Sequence, residues 1–301
     1  MEGHLALYSA VHRRLALLRL RGVQQPAALL ALCVALLVGV AACSPRTDSG
    51  ATPGPEAFPV QEELPENMSL TIVYDNNAYD LRLKTEWGFG CWIEYGDKVV
   101  LFDTGGDGTV LLDNMSLLGL NPNDIDVVVL SHIHGDHTGG MEALLGTGVR
   151  PEVYVPVTFS TNYKNQLRQL VTVHEVDGPE RILPGVYSTG KMGASIPEQG
   201  LMLRTEQGMA VITGCAHPGI ASMVRQARDV MQDDIRLVLG GFHLGSASAA
   251  QVRQICDTFR ELGVQKVAPC HCTGDQAMRV FATEFGDDYL KVGLGWSLDL
   301  S

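Results

Sequence analysis

Ser131-His132-Ile133-His134-Gly135-Asp136-His137-Thr138-Gly139-Gly140 places three imidazoles and one carboxylate within six residues. The apolar run 125–130 leads into it and the helix-like stretch 141–145 leaves it. A strand therefore delivers the cluster to its end, and a helix departs from it. Neutral imidazole and carboxylate are the donors that borderline divalent metals prefer, so this turn reads as one side of a metal site rather than a histidine-rich polar turn.

Outward from this stretch, the histidines sort by position. The chain has nine, and His4 and His12 lie in a segment expected to be removed. Of the other seven, His132, His134, His137, His217, His243 and His271 each follow a strand-like run, and only His174 sits inside one. Sites in sheets with helical crossovers assemble at the carboxyl ends of strands, so these six can converge despite their separation in sequence. His174 reads as a surface residue.

Strands are expected at 69–74, 90–94, 98–102, 125–130, 153–155, 170–174, 182–188, 200–204, 209–213, 235–239 and 264–268, from their β-branched and apolar content between turn residues. Helices are expected at 110–118, 220–231, 249–262 and 274–285. Strands with few helices give way to strand–helix alternation, and this order occurs about twice. The pattern predicts an α/β fold, an αββα sandwich of two mixed β-sheets flanked by helices. Lys191 and Arg204, near the second strand series, read as solvated positions.

The N-terminus has a different character. Arg13, Arg14, Arg19 and Arg21 precede an apolar run of about 17 residues, 26–42, which is short for a membrane span and suits a secretion signal. Val40-Ala41-Ala42-Cys43 resembles a bacterial lipobox, which implies lipidation at Cys43. The expected organisation is a lipoprotein signal peptide at 1–42, a flexible tether at 43–67 with five prolines among 44–67, and a folded domain carrying the metal site at 68–301. The protein would then be an extracytoplasmic bacterial lipoprotein, associated with the membrane through lipid at Cys43. In a Gram-negative cell it would sit on the outer membrane facing the periplasm, because Ser44 is not the aspartate associated with inner-membrane retention.

The first 42 residues carry four arginines and one glutamate, so their removal takes the net charge from −12 to −15. So acidic a chain, without a Lys/Arg stripe, argues against nucleic acid as partner. Cys91, Cys215, Cys256, Cys270 and Cys272 remain after the signal and lipidation cysteines, an odd number, and no essential disulfide is expected.

Together, 87–90 (Trp-Gly-Phe-Gly), 101–105 (Leu-Phe-Asp-Thr-Gly), the histidine turn, 213–220 (Thr-Gly-Cys-Ala-His-Pro-Gly-Ile), 240–244 (Gly-Gly-Phe-His-Leu) and 269–274 (Pro-Cys-His-Cys-Thr-Gly) resemble the metallo-β-lactamase superfamily. They look like its branch of metal-dependent hydrolases labelled 7,8-dihydropterin-6-yl-methyl-4-(β-D-ribofuranosyl)aminobenzene 5′-phosphate synthase-like. The resemblance implies two divalent metal ions, one held by His132, His134 and His217, the other by Asp136, His137 and His271. It implies zinc, with iron or manganese as alternatives; diiron relatives usually have glutamate where this chain has His134. Where many superfamily hydrolases have a bridging aspartate, this chain has Cys215. Either Cys215 bridges as thiolate or it is a small buried residue, and the second is preferred because His217 can supply the missing ligand.

Two such ions lower the pKa of a bridging water, giving metal-bound hydroxide as nucleophile. Asp136 would orient it as a catalytic residue, and His243 would donate to an oxyanion or leaving group, or else serve as a further ligand. Asp103 would orient the metal loop. The expected function is hydrolysis of a small-molecule ester, phosphoester, lactone or amide. The rival readings are a catalytically silent metal- or ligand-binding lipoprotein of the same fold and a diiron redox protein. An exported lipoprotein does not suit a cytosolic pterin synthase, and the superfamily name does not imply β-lactamase activity.

Overall fold

The computed structural model describes Phe58 and residues 63–301. The expected signal peptide, Cys43 and the rest of the tether before residue 63 lie outside the described residues. Phe58 packs its ring on Tyr187 at 4.5 Å between centroids. Among the described residues, no helix is long and apolar enough to cross a membrane.

One sheet has seven strands: β1 (Met68–Asp75), β2 (Phe89–Tyr95), β3 (Lys98–Phe102), β4 (Val127–Val129), β5 (Glu152–Pro156), β6 (Val173–Val176) and, at its far edge, β13 (Ser297–Asp299). The other has six: β7 (Glu180–Leu183), β8 (Val186–Ser188), β9 (Leu201–Thr205), β10 (Gly208–Thr213), β11 (Ile235–Gly241) and β12 (Lys266–Cys270). Their orders are β13-β1-β2-β3-β4-β5-β6 and β12-β11-β10-β9-β8-β7. Both are mixed. β3 to β6 run parallel in the first and β10 to β12 in the second, while the remaining pairs are antiparallel.

Period-2 alternation gives the central strands two faces, both of them buried. In β3, Val100 and Phe102 meet Leu203, Ile212 and Leu239 of the opposite sheet in the central core, while Leu101 turns outward to Val110, Leu111 and Met115. Those three belong to α1 (Gly108–Leu118), which covers the first sheet with α2 (Gly135–Thr138), α3 (Met141–Gly146) and α4 (Thr161–Leu167). In β10, Ala210 and Ile212 face the central core, and Met209 and Val211 face Met223, Val224 and Ala227 of α5 (Ile220–Met231). α6 (Ala249–Glu261) and α7 (Asp275–Phe285) complete that outer layer. The result is the expected sandwich of two mixed sheets between helices. Full burial of a residue such as Val224 contributes about 1.5–3 kcal/mol, so both helical layers are strongly held.

Several local expectations shift. The single strand expected at 182–188 is a hairpin, β7 and β8, because Pro184-Gly185 reverses the chain and Gly185 takes φ +77°. The strand expected at 170–174 is β6, and α4 occupies part of 157–169, which reads in sequence as loop. β13 returns the C-terminus to pair with β1, a long-range addition that no local pattern signals. Arg204 is buried at 3% exposure with its guanidinium 6.0 Å from the Tyr187 ring, so the solvated reading of that residue is wrong. His174 is partly exposed, stacked on Tyr154 and bonded to Glu152.

Candidate metal centre

The carboxyl ends of β3, β4, β10, β11 and β12 open on the same edge, and the loops leaving them carry every site residue expected from the sequence. Among the described residues, four of the five non-glycine residues with positive φ lie in these loops: Asp103 (+61°), Ala216 (+60°), His243 (+52°) and His271 (+47°). Such conformations are costly for L residues and collect where a site constrains the backbone.

After β4 the chain turns through His132 and His134, and α2 begins with His134 at its N-cap, presenting Asp136 and His137. Each buried imidazole is gripped on Nδ1 by a neighbour, leaving Nε2 toward the cluster. His132 Nδ1 lies 2.9 Å from Ser131 Oγ. His137 Nδ1 donates to Asp103 Oδ2 at 2.7 Å. His271 Nδ1 donates to Asn76 Oδ1 at 2.8 Å. Asp103 is fully buried and also accepts from the Ser131 backbone N–H and hydroxyl, each at 2.7 Å, so one carboxylate sets both Ser131 and His137. This is the arrangement by which outer carboxylates and amides fix the tautomer and aim of metal-binding histidines.

Around the centre, His132 Nε2 is 3.1 Å from His134 Nδ1, and the His134 and His217 rings are 5.0 Å apart. Asp136 Oδ2 lies 3.5 Å from both His137 Nε2 and His271 Nε2. The six expected ligands are therefore brought together. Donor atoms of Asp136, His137, Cys215 and His271 all lie within 4.8 Å of one another, as do those of His132, Cys215 and His217. Cys215 belongs to both groups, with Sγ 3.2 Å from His137 Nε2. Cys215 is also buried, at 3% exposure, so its sulfur is both enclosed and placed between the two groups.

The donor set fits divalent ions. His217 Nε2 and His271 Nε2 are buried and have no hydrogen-bond partner, a costly state that an ion would relieve. Burial, reinforced by the neighbouring His137, His217 and His134, holds His132 well below the usual imidazole range. Burial, then His243 and His134, pushes His217 down to about 4. Both are thus neutral, as metal ligands must be. Burial opposes ionisation of Asp136, yet its contacts with His137 and His271 outweigh it and keep the carboxyl below its ordinary range.

Three contributors, Glu198, Gln199 and Asn76, have no signal in the sequence pattern, and a fourth, Cys272, stands in the 269–274 motif without an assigned role. Glu198 is fully buried and accepts the backbone N–H groups of Gly214, Cys215 and Ala216 on Oε1 (3.1, 2.9 and 2.8 Å) and of His217 on Oε2 (2.9 Å). Burial raises its carboxyl pKa against the lowering by these N–H groups. Gln199 donates Nε2 to the carbonyls of Leu130 and Tyr154, and its backbone N–H to Ser131 O. One dipeptide thereby fastens the histidine turn of the first sheet to the Cys215–His217 loop of the second. Asn76 holds His271, and Cys272 lies beside Cys215 and His243.

Two glycines permit the close approaches. A Cβ on Gly214 would stand 2.1 Å from Ser131 Oγ and 2.8 Å from Asp103 Oδ2. A Cβ on Gly88 would stand 2.4 Å from the Asp136 carbonyl, and its φ of +144° already excludes most side chains. The neighbouring Trp87 is half exposed and leans over His271 with centroids 4.9 Å apart.

The His/Asp/Cys cluster thus lies, in an αββα sandwich, where the carboxyl ends of both sheets' parallel strands meet. The family profile of the metallo-β-lactamase superfamily matches residues 91–220 of this chain. It is similar to the 7,8-dihydropterin-6-methyl-4-(beta-D-ribofuranosyl)-aminobenzene-5′-phosphate synthase of Methanocaldococcus jannaschii, 28% identical over 275 residues, covering 75% of this chain and 94% of that protein. The crystal structure of Tm1679, described as a metal-dependent hydrolase of the beta-lactamase superfamily, aligns with a TM-score of 0.66 at 27% identity, over 78% of this chain and 99% of that one. Ribonuclease Z of Pyrococcus furiosus is 32% identical over 127 residues, covering 37% of this chain and 40% of that enzyme. These relatives differ in the reactions their names describe, so kinship sets the fold and a metal-site ancestry, with hydrolases among the relatives.

Proposed function

We propose that the protein is a dinuclear metal-dependent hydrolase acting on a small-molecule ester, phosphoester, lactone or amide. The observation that carries this reading is the convergence of five His and Asp donors in two groups, with His134 against His132 and His217 as a sixth, and with the Nε2 atoms of His217 and His271 buried without a hydrogen bond. His132, His134 and His217 would hold one ion, and Asp136, His137 and His271 the second, with Cys215 bridging. The predominance of neutral imidazole, with sulfur at the bridge, suits zinc. When bound, such ions supply Lewis acidity and bring the pKa of water toward neutrality.

The chain's own residues do the positioning. Asp136, half-exposed beside His137 and His271, orients the attacking water through its free carboxylate oxygen. Asp103, Ser131 and Asn76 keep three imidazoles aimed and in the tautomer with Nε2 open. The net charge of −12 supports a small-molecule substrate over nucleic acid. Export and lipid attachment at Cys43 belong to the same proposal, supported by the sequence of 1–43 alone; metabolic labelling with a radioactive fatty acid tests it, and an unlabelled mature chain refutes it.

Metal analysis of the purified protein, coupled to a panel of ester, phosphoester, lactone and amide substrates, tests the hydrolase reading. His134→Ala and His217→Ala each lose bound metal and turnover together. Full turnover by metal-free protein would overturn the proposal.

A further inference from the structure

Cys272 takes no part in the two positions described above, yet its Sγ, Cys215 Sγ and a ring nitrogen of His243 all lie within 4.8 Å of one another. We propose that Cys215, Cys272 and His243 form a third metal position, a soft two-sulfur, one-nitrogen donor set for a thiophilic ion such as zinc. It goes beyond the two-ion reading and assigns His243 as a ligand rather than a proton donor.

The three donors come from the loops after β10, β11 and β12, neighbouring parallel strands, so the sheet itself holds them in register. Zinc–sulfur bonds of about 2.3 Å place tetrahedral ligand atoms roughly 3.8 Å apart, a separation inside the 4.8 Å bound on these donors. The space is built rather than incidental. A Cβ on Gly241 would stand 2.8 Å from Cys272 Sγ and 3.2 Å from His271 Cδ2, so the absence of a side chain there is what admits the sulfur. His243 is held at φ +52° immediately beyond β11, with a ring nitrogen within 4.8 Å of Cys272 Sγ.

Access and charge agree with this assignment. His243 is exposed and Cys272 half-buried, so an ion enters from solvent and keeps a fourth position for water, whereas Cys215 closes the inner side. A thiolate sulfur has lone pairs enough to serve more than one ion. Cys215 is therefore the hinge between the soft position and the two histidine-rich ones.

The test uses the full-length protein, kept reduced and loaded separately with zinc and with cobalt(II). Three zinc equivalents per chain are expected, together with a thiolate-to-cobalt charge-transfer band in the near ultraviolet. Cys272→Ser should bind two equivalents and lose a large part of that band. His243→Ala, a change at an exposed side chain, should also bind two while remaining folded by circular dichroism. Two equivalents in the unmutated protein, with Cys272→Ser indistinguishable from it, would overturn the third position and leave the two-ion reading standing. No bound metal would overturn both. A Cys215–Cys272 disulfide that persists in the reduced preparation, detected as a loss of two hydrogens in the peptide mass, would also overturn it.

Discussion

Replacing Glu198 tests whether one buried carboxylate holds the loop that carries Cys215 and His217. Glu198 is fully buried and accepts four backbone N–H groups at 2.8–3.1 Å, three on one oxygen and one on the other. Glu198→Gln retains the carbonyl oxygen that serves Gly214, Cys215 and Ala216 but turns an amide NH₂ toward the His217 N–H. One bond is lost and two donors face each other in a dry site, a cost of about 2–3 kcal/mol. Glu198→Ala leaves all four donors without a partner. At about 1–3 kcal/mol each, partly offset by entering water, that substitution should cost roughly 4 kcal/mol or more. Urea unfolding of the metal-free proteins measures both, with the m-value checked for constancy. Because the loop carries candidate ligands, zinc affinity measured against a competing chelator dye should fall in Glu198→Gln as well. A Glu198→Gln protein within about 0.5 kcal/mol of the parent, well below the range for a lost bond to a charged group, would refute the argument.

Asp103→Asn keeps the size and tolerates φ +61° but replaces an acceptor shared by Ser131 and His137; metal affinity should drop about 10–100-fold with the fold intact, and an unchanged affinity would show that His137 needs no such partner. The metal-free protein should lose stability on acidification. An unfolded histidine takes its proton near 6.5, whereas His217 resists until about 4 and His132 lower still. The unfolded state therefore binds more protons in this window, and stability falls as pH drops through it. The largely buried His132 contributes a slope of up to about 1.4 kcal/mol per pH unit; urea midpoints across this range should show a shallower slope in His132→Gln, and equal slopes would refute the assignment.

Much of this protein is legible in its sequence because the deciding signals are local. The helical spacing of 220–231 marks α5 with its observed bounds, and the apolar, β-branched runs 98–102 and 209–213 mark β3 and β10. The histidine turn, with glycines and a following helix, announces a metal loop. The rule that sites gather at strand ends places His217, His243 and His271 beside it.

The parts decided only by the tertiary structure are those whose partners lie far along the chain. Asn76 meets His271 across 195 residues, and Gln199 reaches Leu130 across 69. Glu198 looks in sequence like any acid in a polar loop, yet folding buries it completely beneath four N–H groups. β13 pairs with β1 across most of the chain, at an edge that β1 leaves open. Residue type and spacing select which side chains can bind metal, because that chemistry is intrinsic to them. Which nitrogen faces the site, and whether Cys215 and Cys272 share it, depends on hydrogen bonds and close approaches between the two sheets, and only the packed structure brings those about.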